Sequence, residues 1–305
     1  MRLRHVAPIA LLAAALLAAG GQAAPAPQAL RERLIERSEQ QVRMALPPAA
    51  RVERDLAYGA DPKQRYDVYL PARPATDAPI LVMVHGGGWR TGDKALASVV
   101  AHKAAWWLAR GGVFVSLNTR LLPDADPSLQ ARDVAAAVAA VQRQARQWRA
   151  DPGKTLLMGH SAGGHLVALL GSDPARLRQA GAQRPLGVVV LDSGALDVPA
   201  LMQQRWLPRL YRDAFGRDPA YWAAVSPQQQ LQRDALPMLL VCSSTRTFPT
   251  SPCAEADKLA AHGRTLGVAM QVQPEARSHA EINDQLGLPS AYTDAVAGWI
   301  DQRLR

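Results

Sequence analysis

The stretch LLMGHSAGGHLVALL, Leu156 to Leu170, decides the fold. A short apolar run, Thr155 to Met158, enters Gly159-His160-Ser161-Ala162-Gly163, and an Ala/Leu/Val-rich helical pattern leaves it. The order predicted is strand, tight turn, helix. Small residues at both ends let a serine occupy a sharp, strained turn with its hydroxyl at the carboxyl edge of a sheet, which makes Ser161 the candidate nucleophile. Alone, a G-x-S-x-G pentapeptide is weak, because glycine-rich turns produce it by chance. Here it has an upstream companion. Pro79 to Val84 reads as a buried strand that delivers His85-Gly86-Gly87-Gly88-Trp89. Three consecutive glycines remove every Cβ, so backbone N–H groups can approach a ligand and converge on one point. Acyl transfer needs such donors where its tetrahedral oxyanion forms; a merely flexible turn is the alternative reading.

With HGGGW preceding GHSAGGHLVALL, the region from about Tyr66 to Arg305 resembles the esterase/lipase branch of the α/β-hydrolases, which includes hormone-sensitive-lipase-like and feruloyl-esterase-like enzymes. The resemblance implies carboxylic ester cleavage through an acyl-enzyme on Ser161, with no metal or organic cofactor and a small-molecule ester as partner. It also implies that the N–H groups of Gly87, Gly88 and Ala162 form the oxyanion hole, and that His85 orders its loop without entering the chemistry. Asn118-Thr119-Arg120 stands where the family usually has Asn-Tyr-Arg. Amide hydrolysis, including an arylformamidase-like reaction, and a non-catalytic ligand-binding hydrolase fold are the rival readings.

A serine needs a base within hydrogen-bond reach. Of seven histidines, His160 and His165 flank Ser161 on an elbow and should point away from its free face. His102 and His262 lie in peripheral helical patterns. His279 falls in the loop after the last strand, where a hydrolase with chain order serine, acid, histidine keeps its base. The acid departs from the family pattern. Relatives carry an Asp just beyond the penultimate strand, yet Cys242 to Cys253 reads CSSTRTFPTSPC, with Arg246 or Thr247 at the expected place. The other known location, used by pancreatic-type lipases, is the end of the preceding strand, and Val189-Val190-Leu191-Asp192 fits it. Asp192 is the candidate acid, Asp197 its rival, and a Ser-His dyad a third option.

The flanks and composition set the frame. Met1 to Ala23 carries Arg2 and Arg4, then an apolar run and a small-x-small end, which reads as a secretory signal peptide and predicts a periplasmic or secreted protein. Ala24 to Gln28 reads as a linker, and an amphipathic helix follows within residues 24–50, more simply a surface helix than a cover for the site mouth. The formal charge is +9, and removing the two arginines Arg2 and Arg4 takes it to +7. The arginines are scattered, without the stripe a nucleic-acid binder gathers, and no segment predicts a stable membrane anchor. In an oxidising compartment the only two cysteines, Cys242 and Cys253, favour a disulfide over two buried thiols. From residue 51 to 305, strands and helices alternate with short connections, which predicts an α/β domain: a doubly wound, mostly parallel sheet with helices on both faces. Ala195 to Leu236 breaks that rhythm and reads as a cap insertion.

Overall fold

The computed structural model describes residues 27–305, so the signal-peptide reading of Met1 to Ala23 and residues 24–26 of the expected linker lie outside the described residues, while Pro27 and Gln28, expected in that linker, open a helix. The strands are β1 Arg51–Ala57, β2 Arg65–Leu70, β3 Ala78–Val84, β4 Val113–Leu117, β5 Ala150–His160, β6 Gly187–Leu191, β7 Met238–Ser243 and β8 Met270–Glu275. They form one sheet in the order β1-β2-β4-β3-β5-β6-β7-β8. β1/β2 and β2/β4 are antiparallel; every later pairing is parallel. The helices are α1 Pro27–Ala45, α2 Ala97–Ala109, α3 Pro127–Gln144, α4 Ala162–Ser172, α5 Ala175–Gln179, α6 Val198–Met202, α7 Arg209–Phe215, α8 Pro219–Ala224, α9 Pro252–Leu266, α10 His279–Asp284 and α11 Ala291–Leu304.

Successive strand residues point to opposite faces, and each face buries its own layer. Val82, Leu157, Val190 and Leu240 pack with Val138 of α3, Leu166 of α4 and Leu259 of α9. Met83, Met158, Val189 and Val241 pack with Val42 of α1, Trp107 of α2 and Trp299 of α11. This is the α/β-hydrolase fold, a doubly wound sheet with helices on both sides. Ligands in such sheets bind beyond the carboxyl ends of the strands, the edge where β5 delivers Ser161.

Within β5, Asp151-Pro152 lies where the pairing with β3 slips between Ala78/Ala150 and Ile80/Thr155. α3 stops at Gln144 and tightens into a 3-10 turn, which Arg149 ends at φ 58°. β8 begins at Met270, because Gly267 in the left-handed region and the Val268 N–H bond to the Gly263 carbonyl belong to the cap of α9. The cap region is α6, α7 and α8. Cys242 and Cys253 are disulfide-bonded, Cα atoms 5.1 Å apart, joining the end of β7 to the start of α9.

Candidate active site

At the elbow Ser161 sits at φ 55°, ψ −118°, a conformation that costs energy for any residue with a side chain. Its surroundings impose it. The Ser161 N–H donates to the Leu191 carbonyl of β6, and the Ser161 carbonyl accepts from His165. The flanking glycines are sterically required: a Cβ on Gly159 would drive into the Gly163 carbonyl, and one on Gly163 into the carbonyls of Val84 and His85. α4 starts at once, so the nucleophile stands at a helix N-terminus, where backbone dipoles favour negative charge.

Asp192, at the end of β6, lies fully buried at φ 48°. Its Oδ2 meets His279 Nδ1 at 2.6 Å and accepts from Arg246 Nε at 3.0 Å, and its Oδ1 accepts from the Ser243 N–H at 2.7 Å. Arg246 Nη2 also donates to the Asp192 carbonyl at 3.2 Å. Burial pushes the carboxyl up, but the bonds to His279 and Ser243 and the Arg246 charge outweigh it and hold the group below its ordinary range. The rival Asp197 is engaged elsewhere, capping α6 through the Ala200 N–H and pairing with Lys258.

His279 is not in a free loop; it opens α10. Ser278 caps that helix and Glu281 closes a capping box on it, the Glu281 carboxyl held below its usual range by bonds to Ser278. The carbonyl groups of this one-turn helix are taken by side chains from elsewhere. His160 Nε2 donates to the His279 carbonyl at 3.0 Å, Tyr292 Oη to that of Ile282 at 2.8 Å, and Lys103 Nζ to that of Asn283. Burial lowers Lys103 to about 7. The His160 ring also stacks on His279 with centroids 4.4 Å apart, and burial followed by the neighbouring His279 pushes His160 down to about 3. His160 is therefore neutral, and it holds His279 through both its carbonyl and its ring.

The glycine loop follows β3. Gly87 has φ 119°, Gly88 φ 59° and Trp89 φ 60°. The Gly87 carbonyl is turned outward to accept from the Arg90 and Thr91 N–H groups. Among the described residues no protein acceptor takes the N–H groups of Gly87, Gly88 or Ala162. Trp89 anchors the loop: its indole donates to His165 Nδ1 at 3.2 Å and packs edge-on against Phe215 of the cap. His165 Nε2 in turn donates to the Val225 carbonyl at 2.8 Å, and burial drives this imidazole down to about 4. His85, buried, bonds through Nδ1 to the Gly86 carbonyl at 2.7 Å.

Two cavities meet at Ser161 and His279. The smaller, about 260 Å³, is walled by Trp89, Leu210, Tyr211, Arg246, Phe248 and Pro249 among others. The larger, about 900 Å³, runs past Gly86, His160 and Asp284, and Ser38 and Gln41 of α1 form part of its wall. The N-terminal helix thus does more than cover surface. Of the cap aromatics only Tyr211 lines the smaller cavity; Phe215 packs on Trp89 and His165, Trp222 donates to the Phe215 carbonyl, and Trp206 is 73% exposed.

A family model described as BD-FAE matches residues 66–247. The chain belongs to the BD-FAE family. This BD-FAE member is 30% identical over 214 residues to esterase LipC from Mycobacterium tuberculosis, covering 63% of this chain and 50% of the relative. It is 32% identical over 117 residues to isoprenylcysteine alpha-carbonyl methylesterase ICME from Arabidopsis thaliana, 38% of this chain and 27% of that one. A third relative is a kynurenine formamidase from Danio rerio, 30% identical over 116 residues, 38% and 37% of the two chains. The chain spans half or less of the length of these curated relatives. Among solved structures, a truncated carbohydrate esterase from gut microbiota superposes with TM-score 0.71 at 18% identity, covering 83% of this chain and 96% of the other. Esterase B from Lactobacillus Rhamnosis gives 0.68 at 20% identity, covering 90% and 92%. At these identities the likeness is one of fold.

Proposed function

We propose that this chain is a serine hydrolase that cleaves carboxylic esters through an acyl-enzyme on Ser161. The observation that carries the reading is the 2.6 Å contact between Asp192 Oδ2 and His279 Nδ1, made beside the cavity that also holds the strained Ser161. With Nδ1–H held by Asp192, Nε2 is left as the base. His279 takes the Ser161 proton as Oγ attacks the ester carbonyl. The N–H groups of Gly87, Gly88 and Ala162 receive the oxyanion, and His279 returns the proton to the departing alkoxide. Water then attacks the acyl-serine, again giving its proton to His279, which returns it to Ser161 Oγ as the free acid leaves.

Hydrolysis of short 4-nitrophenyl esters by the mature protein tests this, beside Ser161→Ala and His279→Ala. Each variant should lose at least about 10³-fold in kcat. A fluorophosphonate should label folded wild type at Ser161; a folded protein that resists labelling would refute the reading. The absence of an acid after β7 was the support for a non-catalytic role, and the carboxylate on β6 supplies what that position lacks. The formamidase relative supports a second reading, cleavage of an aryl formamide by the same groups. The leader-like Met1 to Ala23 and the Cys242–Cys253 disulfide support export to the periplasm or beyond.

A further inference from the structure

Arg246 is the charged residue that a nucleophile, a base and an acid do not call for. It follows β7, stands 20% exposed in its side chain, and lines the smaller cavity together with Ser161 and His279. Nε and Nη2 are turned to Asp192. Nη1 lies against Gly194, where a Cβ would come within 3.3 Å of it. The Tyr211 hydroxyl interacts with the same guanidinium.

The charge balance gives this a consequence. Asp192 and Arg246 cancel in the resting site, so the buried carboxylate presents no net negative field to the cavity. When His279 accepts the serine proton, its new positive charge is balanced by the oxyanion forming at the N–H groups of Gly87, Gly88 and Ala162, so Arg246 remains the cation that the cavity wall offers to a substrate. The rest of the cavity wall is mostly apolar, with Pro208, Leu210, Phe248 and Pro249 beside the polar Ser193 and Tyr211, and no aspartate or glutamate lines it among the described residues. Asp284 instead lines the larger cavity on the other side of Ser161. An anion leaving water for an apolar cavity needs a paired cation, and the Arg246 guanidinium that lines this cavity has the chemistry to pair with a carboxylate.

We propose that Arg246 selects esters in which the half seated in the smaller cavity carries a carboxylate, the other half lying toward Asp284. The proposal rests on the serine-esterase reading above. A substrate carboxylate paired with Arg246 holds the ester in the smaller cavity beside Ser161, so the preference appears in kcat/KM.

Two matched pairs test it. One varies the acyl half, 4-nitrophenyl hemiglutarate against its methyl ester; the other varies the leaving half, 4-acetoxybenzoate against methyl 4-acetoxybenzoate. Wild type should prefer the anionic member of one pair by about tenfold or more in kcat/KM, the scale of one charge-assisted hydrogen bond. In Arg246→Gln both members slow, because Asp192 loses a partner, but their ratio should fall by about tenfold while Arg246→Lys retains part of it. Equal or slower turnover of the anionic member in both pairs, or a preference unchanged in Arg246→Gln, would overturn the proposal while leaving the esterase intact. Absence of turnover on all four esters, with no fluorophosphonate labelling, would overturn the esterase reading and this proposal with it.

Discussion

Replacing Asp192 with asparagine changes one atom and isolates its chemistry. The carboxylate is ringed by donors: the Ser243 N–H on Oδ1, and Arg246 Nε–H and His279 Nδ1–H on Oδ2. An amide must aim its NH2 at one side or the other. Toward Ser243 it meets a fixed backbone N–H; toward Oδ2 it meets Arg246, which cannot give up its proton, and His279, which can. The relaxed state therefore flips the imidazole tautomer so that Nδ1 accepts and Nε2 carries the proton toward Ser161, where it cannot act as base. The expected loss is about 10⁴-fold in kcat, the scale known for such a swap in a serine protease triad, or about 5 kcal/mol of barrier. Asp197→Asn touches only the α6 cap and Lys258 and should stay within about threefold of wild type. Steady-state turnover of 4-nitrophenyl acetate by both variants, with circular dichroism to verify folding, checks this. A folded Asp192→Asn within tenfold of wild type would refute the donor-ring argument and favour a Ser-His dyad.

Two further outcomes follow from buried groups and from the disulfide. His160 and His165 are pushed down to about 3 and about 4 by burial, whereas an unfolded histidine titrates near 6.5. Below pH ~6.5 the unfolded chain binds protons that the folded one refuses, so stability is full above that value and declines as pH falls toward 4. The loss is about 2 kcal/mol per histidine at pH 5. Urea midpoints measured from pH 7 to 5 should fall accordingly, and His165→Gln, which keeps one donor and one acceptor, should flatten the slope by about one proton. Reducing Cys242–Cys253, which closes a loop of sequence separation 11, should cost about 3 kcal/mol in the same assay. An unchanged midpoint under reductant would contradict that figure.

The parts legible in the sequence are those whose signal is local. Gly159 to Gly163 carries its whole steric argument in five residues, and the apolar runs of β3, β5 and β6 announce a buried parallel sheet. Asp192 was visible as the end of a strand, but its partner Arg246 lies 54 residues away and meets it only because β6 and β7 are adjacent. The contact of His160 with His279 was not legible for the same reason, since the two are 119 residues apart. The cap helices α6, α7 and α8 are too short to show a period, so nothing in their pattern says that Tyr211 faces the cavity while Phe215 packs on Trp89 and His165. α1 shows an apolar stripe, yet its docking against α2, which brings Ser38 and Gln41 to the cavity, is a tertiary event.

Moving the acid from β7 to β6 poses a geometric problem, and Ser243 is how the fold meets it. Neighbouring strands lie about 4.8 Å apart, so the tips of β6 and β8 are separated by about twice that, with β7 between them. Asp192 must reach across this tip, and His279 must lean back toward it. Ser243, the last residue of β7 and wholly buried, holds both sides: its N–H donates to Asp192 Oδ1 at 2.7 Å and its hydroxyl donates to the Arg277 carbonyl at 2.6 Å, two residues before His279. A small polar residue is needed there, because a bulkier one would fill the space the carboxylate crosses. Once Asp192 occupies that space, a second carboxylate just beyond β7 would face it across a buried site at high cost. A cation in its place, Arg246, is the arrangement the relocated acid itself calls for.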